Sequence, residues 1–212
     1  YGGRDKLGCG INGRSSDISI RQQLNNCATN LDHRIDGWVT GGGWELFDFP
    51  DGAPSSKMLD EIFGDRPVFL SDAFGHNAWV STKAMELAGI NSTTADPPNG
   101  TIVRDVNTGK PLGTLRESAM DIILKVLPEL TVEKQYESLL LGIKEANKFG
   151  ITAFIEPGVD HALASLYKSL EDNKDLNARV MLALSPISEL PGSVGSELFE
   201  LLAEREQYRG KF

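Results

Sequence analysis

The feature that most narrows the fold of this chain is in its second half, where apolar spacing switches repeatedly between a helical and an extended period. From Thr131, the residues Leu139, Leu140, Ile143 and Ala146 share one helical face, and Gly150 closes the segment. Ile151 to Ile155 is then a continuous β-branched and apolar run. Helical spacing returns over 161–171 on Leu163, Leu166 and Leu170; 178–184 (ARVMLAL) is again continuous, and Leu198, Leu201 and Leu202 mark another helix. Strands buried on both faces read as unbroken apolar runs, so the alternation of helix and strand predicts a parallel α/β sheet. If that sheet is part of a barrel, the loops leaving the C-terminal strand ends face the active site. Glu156 with Pro157, and Ser185 with Pro186, occupy those positions.

The first half is less regular. The sparse apolar residues Ile18, Ile20, Leu24, Ala28 and Leu31, about four apart, predict a helix within 16–35, capped by Ser16 or Asp17. Trp38-Val39-Thr40 reads as a short strand leading into a loop at Gly41-Gly42-Gly43-Trp44. After the turn-rich run FDFPDGAP, Ser55 or Ser56 caps a short helix carrying Met58, Leu59 and Ile62. Pro67 to Leu70 reads as a buried strand. Asn77 to Leu87 reads as a helix closed by Gly89, and 91–113 as a small β-rich insertion with a strand at 101–104 and a hairpin at Asn107-Thr108-Gly109. Leu115, Ala119, Ile122, Ile123 and Val126 predict an amphipathic helix over 114–126. The chain is thus expected to divide into 1–113 and 114–212.

Composition excludes several classes. With 21 Lys plus Arg against 30 Asp plus Glu, the net charge of -9 repels nucleic acid and anionic lipid. No apolar run approaches the roughly 20 residues of a membrane helix. Cys9 and Cys27 have neither zinc-binding nor redox-motif spacing, and two separate thiols are expected rather than a disulfide. The first residues lack the pattern of a secretory leader. The chain begins without methionine, so its native N-terminus is expected to lie elsewhere, and localisation cannot be read from it.

Three side chains stand out for chemistry. His76, after an apolar run and at the start of a predicted helix, can reach a ligand or make a structural hydrogen bond. Glu117 reads first as a solvated acid complementing a helix N-terminus, with a carboxylate ligand to a metal or a proton shuttle as the functional alternative. Glu156, at a predicted strand end, reads as a catalytic or a loop-capping group. His161 reads as a surface residue, and His33 sits on a polar helix. There is no HxH pair, HExxH helix, GxSxG elbow or phosphate-binding glycine loop.

Together, Gly41 to Trp44, Asp65-Arg66-Pro67-Val68, Gly75-His76 with Trp79-Val80-Ser81, Ala88-Gly89-Ile90, Asp96-Pro97, Arg104-Asp105, Gly113 with Leu115, Glu117 and Ala119, and Gly150-Ile151-Thr152 resemble amidohydrolase family 3, of the formamide-deformylase-like type, in order and spacing. The resemblance implies a portion of a (β/α)8 metal-dependent hydrolase barrel with a small β-rich insertion. It also implies a divalent metal, zinc, and hydrolysis of a small-molecule amide or formamide by metal-activated water. Glu117 then takes the metal-side carboxylate position, while Trp44, His76 and Trp79 line the substrate pocket, with His76 and Glu156 as catalytic candidates. The family's HxH motif has no counterpart here. The chain is therefore expected to be an internal fragment, inactive alone, with strand edges open to homo-oligomerisation. The alternative is a regulatory or binding protein that keeps the scaffold. Ser81-Thr82 stands where many relatives have Asn-Ser, so substrate preference does not transfer directly.

Overall fold

The structure is a computed structural model that describes residues 8–11, 17–29, 34–184, 203 and 205. It divides into two compact units, 1–131 and 132–212. In chain order the first unit holds β1 (Cys9–Gly10), α1 (Asp17–Thr29), β2 (Arg34–Ile35), β3 (Trp38–Trp44), α2 (Ser56–Phe63), β4 (Val68–Asp72), β5 (Asn77–Val80), α3 (Thr82–Leu87), β6 (Gly100–Arg104), β7 (Pro111–Glu117) and α4 (Met120–Leu124).

Its seven strands form one mixed sheet in the order β1-β3-β4-β5-β7-β6, with β2 paired to β3. β1, β3 and β4 are parallel, while β5, β7 and β6 run antiparallel to their neighbours. Side chains alternate across a strand, and that period of two sorts the core into two clusters. Val39, Val68, Leu70 and Trp79 pack with Ile20 and Leu24 of α1 and with Leu59 and Phe63 of α2. Trp38, Phe69, Ala78, Val80 and Leu115 pack with Ala84 and Met85 of α3 and with Met120 and Ile123 of α4. The sheet is therefore covered by helices on both faces.

Several sequence expectations change here. The 16–35 helix stops at Thr29, because Asp36 and Gly37, with φ of 45° and 86°, turn 34–35 back onto β3 as a hairpin. Residues 41–44 continue β3 instead of forming a loop. A Cβ at Gly42 would stand 2.5 Å from the Ser71 carbonyl oxygen, so glycine is what lets β3 approach β4 this closely. Asn77 to Val80 is a strand. The helix begins only after Ser81, whose Oγ accepts from the Ala84 and Val68 amides and donates to the Arg66 carbonyl.

The expected 114–126 helix is also replaced, by the end of β7 and the short α4. Leu115, Ala119, Met120 and Ile123 all face one cluster, and that shared burial produced helix-like spacing across a strand-to-helix junction. β6 and β7 complete the main sheet rather than forming a separate insertion, so the chain divides after Thr131 instead of at 113. Cys9 and Cys27 are joined by a disulfide that ties β1 to α1, correcting the expectation of two thiols.

The second unit holds α5 (Val132–Lys148), β8 (Ala153–Val159), α6 (His161–Asp172) and β9 (Arg179–Leu184), with β8 and β9 parallel. The Asp160 carboxylate caps α6 by accepting from the Leu163 amide, 2.8 Å away. Phe154, Val180 and Leu182 turn toward Ile143, Tyr167 and Leu170 of the helices. The opposite face carries Ile155 and Met181, 63% and 66% exposed. Among the described residues of this unit only one face of the strand pair is covered, although the apolar runs predicted two. The expected helix over Leu198 to Leu202, along with Ser185, Pro186 and His33, lies outside the described residues. No described helix is long and apolar enough to cross a membrane.

Gly113 has φ +105°, and a Cβ there would sit 2.7 Å from the Val80 carbonyl oxygen and the Ser56 amide. Gly113→Ala should lower unfolding stability by about 2–4 kcal/mol in chemical denaturation. Gly109→Ala, also at positive φ but with nothing within 4 Å, should cost only about 1 kcal/mol. Equal losses would show that the collision is unimportant.

Candidate functional site

The candidate site is built where β4 turns into β5 and meets the end of β7. Asp72, the last residue of β4, is 2% exposed. Its Oδ1 accepts from the His76 amide at 2.8 Å and the Asn77 amide at 3.0 Å, and its Oδ2 accepts from Asn77 Nδ2 at 2.8 Å. A buried carboxylate is tolerated only when its lone pairs are taken up in this way. The same bonds hold the 72–77 turn in one conformation, and His76 stands at its tip.

Across the β5–β7 ladder, the Glu117 amide donates to the His76 carbonyl at 2.9 Å. Glu117 has φ 49°, a left-handed conformation that costs a residue with a Cβ on the order of 1 kcal/mol. That turn of the backbone brings Glu117 Oε2 to 3.1 Å from His76 Nδ1. The two side chains are 66% and 58% exposed, so the pair stands at the surface.

The hydrogen bond from Glu117, and then its charge, hold the His76 pKa above the ordinary 6.5; desolvation opposes this slightly, and the Asp72 charge adds a smaller upward push. With Nδ1–H directed at the carboxylate, neutral His76 presents the lone pair of Nε2 outward; once protonated, Nε2 becomes a donor. The pair can therefore accept or deliver a proton, or offer a nitrogen and an oxygen to a cation.

The sequence-predicted residues separate accordingly. His76 and Glu117 come together, although one was placed on a helix start and the other on a helix that does not exist. Trp44 and Trp79 are fully buried. Their indole N–H groups donate to the Leu70 and Ser55 carbonyls, and they pack edge to face with each other and with Phe49, at centroid distances of 5.1 to 6.3 Å. This structure therefore places them in the core and not on the exposed surface where His76 and Glu117 meet.

Glu156 lies in the middle of β8, which runs on to Val159, and accepts from Tyr167 Oη at 2.7 Å. Burial, and then the Glu156 bond, raise the Tyr167 pKa, so the phenol stays a donor. His161 is exposed at the start of α6. Two residues were missed by sequence reasoning. Asp72 was signalled only by an Asp four residues before His76 in a turn-forming run. Arg116 shares a sheet face with Thr114, and its buried Nε has no hydrogen-bond partner among the described residues, a feature that sequence cannot show.

Among the described residues, no three His, Cys, Asp or Glu side chains gather closely enough to hold a metal ion. His76 and Glu117 provide two donors, which do not make up a complete centre for a divalent ion.

A model described as the amidohydrolase family matches residues 12–210. The chain is 31% identical over 157 residues to Protein LONG AFTER FAR-RED 3 of Arabidopsis thaliana, across 74% of this chain and 26% of that protein. It is 40% identical over 70 residues to N-substituted formamide deformylase of Arthrobacter pascens, across 33% of this chain and 13% of that protein. In fold it is similar to an uncharacterized metal-dependent hydrolase from Pyrococcus horikoshii OT3, with TM-score 0.58 and 20% sequence identity, over 100% of this chain and 37% of the other. The chain thus matches about a quarter of the length of the first of these relatives.

A raised His76 pKa stabilises the fold fully below the ordinary 6.5, and that contribution is lost as pH rises through the folded-state value. Following His76 ring protons by NMR should give a midpoint above 6.5 in the unsubstituted protein, and a lower one in Glu117→Gln. An unchanged midpoint in the variant would show that the pair does not form in solution.

Proposed function

This chain belongs to the amidohydrolase family, and we propose that it is a section of a metal-dependent hydrolase cleaving the C–N bond of a small-molecule amide or formamide. His76 and Glu117 are the groups it contributes to that chemistry. The observation that carries the reading is the His76–Glu117 pair itself, held at 3.1 Å by a backbone conformation that an ordinary strand end would avoid. Backbone strain kept at a surface pair is a mark of a functional site. The similarity to the N-substituted formamide deformylase of Arthrobacter pascens supports the choice of bond.

In this reading the neutral imidazole of His76 takes a proton at Nε2, or the imidazolium returns one to the departing amine, while Glu117 fixes the ring and its tautomer. The metal of the family, zinc by preference, supplies activation of water when bound. The described residues do not form its site; in this reading its remaining ligands lie outside them, with Glu117 as the carboxylate offered from this side. Trp44 and Trp79 support the substrate pocket from beneath by holding β3, β4 and β5 in register. Glu156 has no assigned role.

The β8–α6–β9 segment is one parallel repeat of a barrel in this reading, and its exposed apolar face, with Ile155 and Met181, is the side turned to the barrel interior. Left uncovered, that pair and its edges are a surface for self-association.

The full-length protein, loaded with zinc, should hydrolyse N-substituted formamides or simple amides and lose activity to a chelator. Glu117→Gln and His76→Gln should each lower kcat/KM by about 10²–10⁴-fold. A full-length protein that neither binds a divalent metal nor hydrolyses such substrates would instead be a regulatory scaffold. Ile155→Asp in that protein should cost about 2 kcal/mol or more if the face is covered. A change within about 0.5 kcal/mol would show that the face meets water, and would remove the barrel assignment.

A further inference from the structure

From the loop after α3 into the start of β6 the chain carries two Asn-x-Thr triplets within eleven residues, Asn91-Ser92-Thr93 and Asn99-Gly100-Thr101. Both asparagines and both threonines are exposed. Asn-x-Ser/Thr without proline in the middle is the acceptor sequence for N-linked sugars, which require a surface position in a secreted chain. An independent feature points to the same compartment. Cys9 and Cys27, the chain's two cysteines, are joined, and disulfides persist in oxidising compartments, where N-linked sugars are also added in eukaryotic cells.

We propose that this loop is a glycosylated face, with the side-chain amides of Asn91 and Asn99 as acceptors in a protein matured in an oxidising secretory compartment. Asn91 Oδ1 accepts from the Thr93 amide at 2.8 Å and the Thr93 hydroxyl at 2.7 Å, leaving Nδ2 directed away from the threonine. One of its two amide hydrogens meets the Gly89 carbonyl at 3.3 Å, and the other is available for replacement. Asn99 occupies the exposed turn closed by the Gly100 amide on the Pro97 carbonyl, with φ 60°.

The transfer balances at each site. A bond forms between Nδ2 and the anomeric carbon of a lipid-diphosphate oligosaccharide; the carbon–oxygen bond to the diphosphate breaks; the diphosphate departs with the electron pair, and one amide proton is lost to solvent. The remaining amide hydrogen of Asn91 keeps its bond to Gly89. The loop is firm enough to carry the sugars in fixed positions. Arg104 donates to the Asn91 carbonyl at 3.2 Å and to the Thr94 carbonyl, and the Ile102 amide donates to Asp96 at 3.2 Å.

The consequence is physical. β6 ends the sheet order, so among the described residues one side of it carries no strand partner, and such edges invite pairing between copies. A glycan on Asn99, the residue before β6, stands beside that edge and blocks it.

The test uses the full-length protein isolated from the cells that make it. Non-reducing tryptic digestion, which cuts after Arg14 and Arg21, should yield the Cys9 and Cys27 peptides joined as one disulfide-linked species that reduction separates. Release of sugars by a peptide N-glycosidase in heavy-oxygen water should leave labelled aspartate at 91 and at 99 that a parallel digest without the glycosidase lacks, since Asn99-Gly100 can also deamidate unaided. Thr93→Ala and Thr101→Ala, expressed in the same cells, should each remove one glycan's step of gel mobility. Unlabelled asparagine at either position overturns that site. Alkylation of both cysteines without prior reduction overturns the compartment.

Discussion

The Asp72 carboxylate is the group on which the candidate site depends. It is almost entirely buried at the end of β4, and a carboxylate there is stable only while its oxygens are occupied by donors. The donors are the His76 and Asn77 amides and the Asn77 side chain, all within the next five residues. Satisfying the charge therefore also sets the path of the chain. β5 is turned back antiparallel to β4, and His76 is held at the tip of the turn. Removing the carboxylate would leave these donors unpaired inside the protein, a larger penalty than the loss of one bond.

A second constraint is layered on the first. Glu117 takes a left-handed backbone at the end of β7, and so its amide meets the His76 carbonyl while its carboxylate meets the ring. A glycine would adopt that backbone more easily but would bring no carboxylate. The cost is borne by a sheet with two buried faces, in which Leu115 and Thr114 just upstream are completely buried and fixed in register with β5 and β6. The rigid interior thus supports a hydrogen-bonded pair that is itself in water.

The tryptophans illustrate how composition misleads. Trp44 beside three glycines, and Trp79 beside His76, look in sequence like pocket walls. In the structure they fill the layer between β3, β4, β5 and α2, with each indole N–H bonded to a carbonyl. Glycines at 41–43 serve strand approach rather than ligand approach. Proximity in sequence to a candidate histidine carries no information about which side of a strand a neighbour takes, since adjacent residues of a strand point to opposite faces.

The amino-acid sequence by itself determined the βαβ grammar of the second half, the helical and extended periods that produce it, and the family-like order of landmarks through the first half. These are local: periodicity, caps and turn residues act within a few positions, and α6 with its Asp160 cap and the parallel partners β8 and β9 follow from them. Tertiary structure decided what lies between distant residues. It joined Cys9 to Cys27, made strands of 77–80 and 114–117 where spacing resembled helices, and brought Glu117 against His76 across 41 positions. The physical reason is that a strand buried on both faces has no amphipathic signature of its own, and its partners, which fix its register and hence the contacts at its ends, are chosen by pairing across the sheet.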